Sequence, residues 1–105
     1  MNNLFQDIPA DLPQEFMEDL FVHRGLRVQR ILSRGHADAP GQWQQQAQDE
    51  WVLLIQGEAD LEYREPPRIE RLVGGDWVFI PAGEAHRVAW TCPVRDTLWL
   101  ALHWE

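Results

Sequence analysis

His86 closes the run Gly75-Asp-Trp-Val-Phe-Ile-Pro81-Ala-Gly83-Glu-Ala-His86. The proline and glycine ahead of it make a turn that aims the imidazole inward as the next strand begins, and neutral imidazole serves both as a metal ligand and as a pocket base. The alternative is a buried histidine hydrogen-bonded to a neighbour. Glu50 lies beside the apolar run Trp51-Val-Leu-Leu-Ile55, where an unpaired carboxylate is costly, so it needs a metal, a hydrogen-bond partner or a cation such as Arg30 or Arg87. Gln44 and Gln46 are two apart, so on a strand they face one side and offer amide oxygens; otherwise they are polar residues on a wet strand end.

His103 and His36 are further imidazoles, the first in a neighbouring strand and the second in a loop, and each has a structural alternative. Six tryptophans are many for 105 residues; most belong to core or interface, while Trp43 and Trp90 are candidates for apolar pocket walls. No nucleophile arrangement competes. Ser33 lacks a nucleophile elbow, Cys92 precedes Pro93 with no nearby base, and Gly74-Gly75 is a turn, not a phosphate loop.

The elements that position these residues read as short strands. Leu26 to Leu32, Trp43 to Gln56, Ala59 to Tyr63, Arg68 to Val73, Trp77 to Ile80, His86 to Thr91 and Thr97 to Trp104 are separated by Gly-, Pro- and Asp-rich turns. Ala59, Leu61 and Tyr63 alternate with polar residues, which predicts one buried and one wet face. Trp51–Ile55 and Leu98–Leu102 are apolar on both parities, so the face outside the barrel needs a cover, and a homodimer is expected. Ahead of the strands, Ile8 to Phe21 predicts a short helix with Asp11 as N-cap and Leu12, Phe16 and Leu20 on one face packing against the barrel.

A length of 105 residues supports one hydrophobic core. Seventeen acidic against nine basic residues give a formal charge of -8, which disfavours nucleic acid and anionic membrane surfaces as partners. One cysteine excludes an internal disulfide and a two-cysteine zinc site, and with no apolar leader or transmembrane run the expected location is cytoplasmic.

The run from Gly75 to His86 resembles the second motif of the cupin family, G-x5-P-x-G-x2-H, with Trp90 where that motif ends in asparagine. Glu50 through Gly57 resembles the second half of the first cupin motif; Gln44 and Gln46 stand where its paired histidines belong under the shorter spacing, and Trp43 and Gln45 under the longer. Further phrases, Pro40-Gly-Gln-Trp43 and Leu98-Trp-Leu-Ala-Leu-His103 among them, are similar to small single-domain bacterial cupins. The resemblance implies an all-β double-stranded β-helix, a jelly-roll barrel spanning 25–105, with residues 1–24 as a helical segment packed on it.

It also implies a pocket at the barrel mouth, with His86, Glu50, Gln46 and Gln44 as ligands of a weakly held divalent metal (Mn, Fe, Ni or Zn), the absence of any cofactor being equally admissible. Trp43, Trp90 and His103 are the expected pocket walls. Three functions follow: a binder of a metal or small organic molecule, a metal-dependent oxygenase or isomerase acting on a small molecule, or a non-catalytic interaction barrel. The fold does not choose among them, and no catalytic residue is assigned.

Overall fold

The computed structural model describes residues 2–104. Eight strands follow one another: β1 (Phe16–His23), β2 (Leu26–Ser33), β3 (Asp49–Gln56), β4 (Glu58–Tyr63), β5 (Arg68–Val73), β6 (Trp77–Ile80), β7 (His86–Thr91) and β8 (Thr97–Trp104). They form a five-stranded sheet, β1-β2-β8-β3-β6, facing a three-stranded sheet, β5-β4-β7, with every pair antiparallel. The neighbours β8 and β3 in space are far apart in sequence, which is the crossing pattern of a jelly roll.

The period of two decides what lies between the sheets. Val52 and Leu54 of β3, Ala59, Leu61 and Tyr63 of β4, Leu72 of β5, Ile80 of β6 and Trp99 and Ala101 of β8 make one buried cluster. The alternation read at Ala59, Leu61 and Tyr63 is therefore the inner face of β4.

The N-terminal helix expected over Ile8 to Phe21 is absent; among the described residues there is no helix. Phe16–His23 instead pairs with β2 from Phe16↔Leu32 to His23↔Leu26, with one irregularity between Asp19 and Phe21. The deciding signal is the two-residue turn Arg24-Gly25, both at positive φ (48° and 80°), which matches the twist of a tight hairpin. A single short helix gains little in water, whereas this hairpin gives β2 its ladder partner on that side. Phe16–His23 is thus an edge strand of the larger sheet and not a helix packed on a barrel that begins at 25.

Residues preceding β1 do cover the barrel, without helical structure. Leu12 packs with Leu32 and Leu98, joined by Leu4, Ile8, Phe16 and Ile55. Arg30, only 3% exposed, ties the segment down by donating to the carbonyls of Leu4 (2.9 Å) and Gln6 (2.6 Å) and pairing with Glu18. The rest of that outer face stays open: Trp77 is 60% and Phe79 49% exposed, with Trp51 beside Trp77 and Trp104 stacked on Phe79.

Candidate functional site

The turn Pro81–Gly83 is pinned from below by the chain that precedes β3. Ala82 N–H donates to the Asp49 carboxylate (2.8 Å), Gly83 N–H to the Gln46 carbonyl (2.7 Å), and the Gln45 side-chain amide to the Gly83 carbonyl (2.8 Å). Gly83 sits at φ +82°, where a glycine is favoured. Directly after it His86 exchanges both backbone hydrogen bonds with Gln44, at 2.7 and 3.0 Å. Trp43 to Gln56 is accordingly not one long strand: only Asp49–Gln56 is, and Gln44 touches the sheet through an isolated bridge. The loop before it is strapped to β7 by Asp38, whose carboxylate accepts from the Gln44 amide (2.8 Å) and the Val88 N–H (2.9 Å).

These connections bring Glu50, His86, His103, Gln44, Gln46 and Gln29 to one cavity of about 140 Å³ between the sheets, walled by Ile31, Val52, Leu61, Ile80, Val88 and Trp99, with Glu15 and Met17 also lining it. Glu50 is the central group, 6% exposed. Its Oε1 lies 3.7 Å from His86 Nε2 and its Oε2 3.3 Å from His103 Nε2, and the Gln46 amide donates to Oε1 at 3.4 Å. His86 Nδ1 is 2.9 Å from the Glu84 carbonyl, an acceptor only, so the ring donates there and turns Nε2 towards Glu50. His103 Nε2 also lies 3.1 Å from Gln29 Oε1.

No arginine answers the buried carboxylate. Arg30 faces the opposite side of the sheet with Glu18, and Arg87 pairs with Glu62, so neither makes the salt bridge that Glu50's position suggested. Burial pushes the Glu50 carboxyl up to about 7, the Gln46 hydrogen bond opposing it, and burial holds the His103 imidazole below its ordinary value, with Arg27 acting in the same direction.

The four residues expected as metal ligands, His86, Glu50, Gln46 and Gln44, are brought to one cavity. Gln46 presents its nitrogen to Glu50, the Gln44 nitrogen is held by Asp38, and the two imidazoles address different oxygens of one carboxylate. Among the described residues no three His, Cys, Asp or Glu side chains are placed to hold an ion. With the Gln44 and Gln46 nitrogens turned to carboxylates, the remaining donors Glu50, His86 and His103 are not gathered around one point.

His103 takes its expected place in the pocket wall; Trp43 and Trp90 do not. Gln44 faces the cavity, so its neighbour Trp43 faces away, with Arg87 6.0 Å from its ring. Trp90 is turned out by a register shift: Val88 pairs with Leu61 and Trp90 with Asp60, leaving Ala89 as the extra residue of a bulge, and Arg71 lies over the indole at 4.8 Å. His36 stays in its loop, where Nδ1 accepts the Arg34 N–H and the carbonyl accepts the Thr91 hydroxyl. Sequence reasoning missed Glu15, Met17 and Gln29. For Gln29 a signal existed, since Gln29 and Ile31 share the parity opposite Val28, Arg30 and Leu32.

No family model and no curated protein matches this sequence. Solved structures do. A protein of Ralstonia eutropha JMP134, provisionally named a mannose-6-phosphate isomerase, is 40% identical with a TM-score of 0.94, over 100% of this chain and 97% of that one. A cupin superfamily protein of Desulfitobacterium hafniense DCB-2 is 18% identical with a TM-score of 0.74, over 92% and 83% of the two chains. A polyketide cyclase of Streptomyces resistomycificus is 17% identical with a TM-score of 0.73, over 87% and 65%. Two facing antiparallel sheets in jelly-roll order, the Gly75-to-His86 motif at the mouth of the cavity and these likenesses lead to one assignment: the chain has the cupin fold and belongs to one family with the Ralstonia protein.

Proposed function

We propose that this cupin binds a small organic molecule in the barrel cavity, with Glu50, His86 and His103 as the polar contacts and the glutamines as orienting amides. The carrying observation is the cavity itself: apolar walls around a few convergent polar groups, one of them a carboxylate with a raised pKa. Metal-assisted chemistry draws less support, because the donors are not assembled for an ion. The isomerase name of the Ralstonia structure is not carried over, because no Lys or Arg lines the cavity to meet a phosphate.

Cyclohexanol serves as a neutral probe of suitable size. Titration should give a saturable shift of the Trp99 indole N–H in NMR spectra, abolished in Leu61→Phe, which fills the cavity and whose folding is checked by its melting transition. A non-saturating shift, or one that survives Leu61→Phe, would count against the pocket.

The open outer face of the larger sheet supports a homodimer. Trp77 and Phe79 expose about half or more of rings that each bury roughly 150–250 Å² when covered, so with Trp51 and Trp104 they supply the apolar centre of an interface of about 800 Å² per partner. Light scattering is expected to give twice the chain mass at tens of micromolar, about the range where stable interfaces persist, and the monomer mass in Trp77→Arg. A monomeric parent protein rejects the dimer and leaves the cavity untouched. The free thiol of Cys92 supports residence in a reducing compartment such as the cytoplasm.

A further inference from the structure

Resting on the cavity reading above, we propose that the preferred ligand class is a small organic cation, a primary amine on an apolar body of about six heavy atoms, with its ammonium group held between Glu50 and His86. Size sets the body: about 140 Å³ matches the roughly 150 Å³ cavity known to accept benzene. The walls set its chemistry, because Ile31, Val52, Leu61, Ile80, Val88 and Trp99 offer nothing to hydrogen-bond except the distant Trp99 indole, which donates to Ser33.

Charge selects the head group. Two carboxylates, Glu15 and Glu50, and no Lys or Arg line the cavity; Arg27, beside His103, lies 3.8 Å from Asp19 outside the lining, Arg30 pairs with Glu18 and Arg87 with Glu62. An anion entering would meet no cation in the cavity wall. Glu50 Oε1 and His86 Nε2 face each other at 3.7 Å, beyond hydrogen-bond range, and with His86 Nδ1 donating to Glu84 the neutral ring leaves a lone pair on Nε2. Two acceptors side by side call for a shared multiple donor, and an ammonium group with three N–H bonds supplies one.

Three probes of one shape separate the possibilities: cyclohexylamine, cyclohexanol and cyclohexanecarboxylate, titrated into the full chain at about pH 8, where the amine is protonated. Calorimetry and the Trp99 indole signal are the readouts. The amine should bind about tenfold or more tighter than the alcohol, as one charge-assisted hydrogen bond warrants, and the carboxylate should not bind. Glu50→Gln should cost the amine about tenfold more than it costs the alcohol, so that the preference for the amine disappears. An amine no tighter than the alcohol, or a carboxylate that binds best, overturns cation recognition while the pocket stands. Failure of all three to move the Trp99 signal overturns both.

Discussion

Gly57→Ala is expected to cost on the order of 3–5 kcal/mol, enough to leave the chain largely unfolded at moderate temperature given a total stability of roughly 5–15 kcal/mol. Gly57 joins β3 to β4 at φ +101°, a conformation an L side chain rarely adopts. A Cβ there would lie 2.5 Å from Thr97 Oγ1, 2.6 Å from Thr97 Cα and 2.9 Å from the Asp96 carbonyl. Two of those three atoms are backbone, and Thr97 is fully buried, so no side-chain rotation relieves the clash. Gly25→Ala is the control: φ is also positive there, but nothing lies within 4 Å, so only the backbone penalty of about 1 kcal/mol applies. Urea denaturation of the two variants measures the difference. Equal destabilisation would show that conformation alone, and not the approach of Thr97, makes Gly57 necessary.

The second large effect depends on pH. Glu50 is raised to about 7 in the folded chain, so between an ordinary carboxylate value and about 7 the folded protein holds a proton that the unfolded chain has released. Folding stability from this group is therefore complete at low pH and is lost as pH rises through about 7. At about 1.4 kcal/mol for each pH unit separating the two states, the loss approaches about 3 kcal/mol. Glu50→Gln keeps the shape and removes the ionisation, so it should stabilise the chain by about 1–3 kcal/mol at about pH 8 and have little effect at about pH 5. His86 and His103 face the same carboxylate and are unchanged in the variant, so comparing the two proteins at each pH isolates Glu50. His103 contributes the opposite slope, since burial lowers its folded value and unfolding then takes up a proton as pH falls. Stabilisation of equal size at both pH values, or destabilisation at pH 8, would mean that Glu50 is not a buried proton carrier.

Much of this arrangement was legible because strands announce themselves by parity. Ala59, Leu61 and Tyr63 gave the inner face of β4, the turn before His86 gave its direction, and the apolar run after Glu50 implied that the carboxylate was buried. What stayed hidden depended on events that parity does not encode. Leu12, Phe16 and Leu20 fit a helical spacing as well as they fit anything local, and only the pairing of β1 with β2 across Arg24-Gly25 decides against it. Charge pairing was equally silent: nothing in the order of residues says that Arg30 spends its guanidinium on Glu18 and two N-terminal carbonyls.

The extra residue at Ala89 decides which side chain of β7 enters the barrel beside Ala59. Along β7 the side chains are dealt alternately to the two faces, and the bulge repeats one deal, so that Trp90 falls outside and Thr91 inside. Uninterrupted alternation would turn an indole inward opposite Ala59, at the place that the smaller, fully buried Thr91 now fills. What packs against Ala59 is thus decided by an irregularity of counting and not by the order of residue types alone. Moving that one bulge would exchange a hydroxyl for an indole in the interior, with every residue type unchanged.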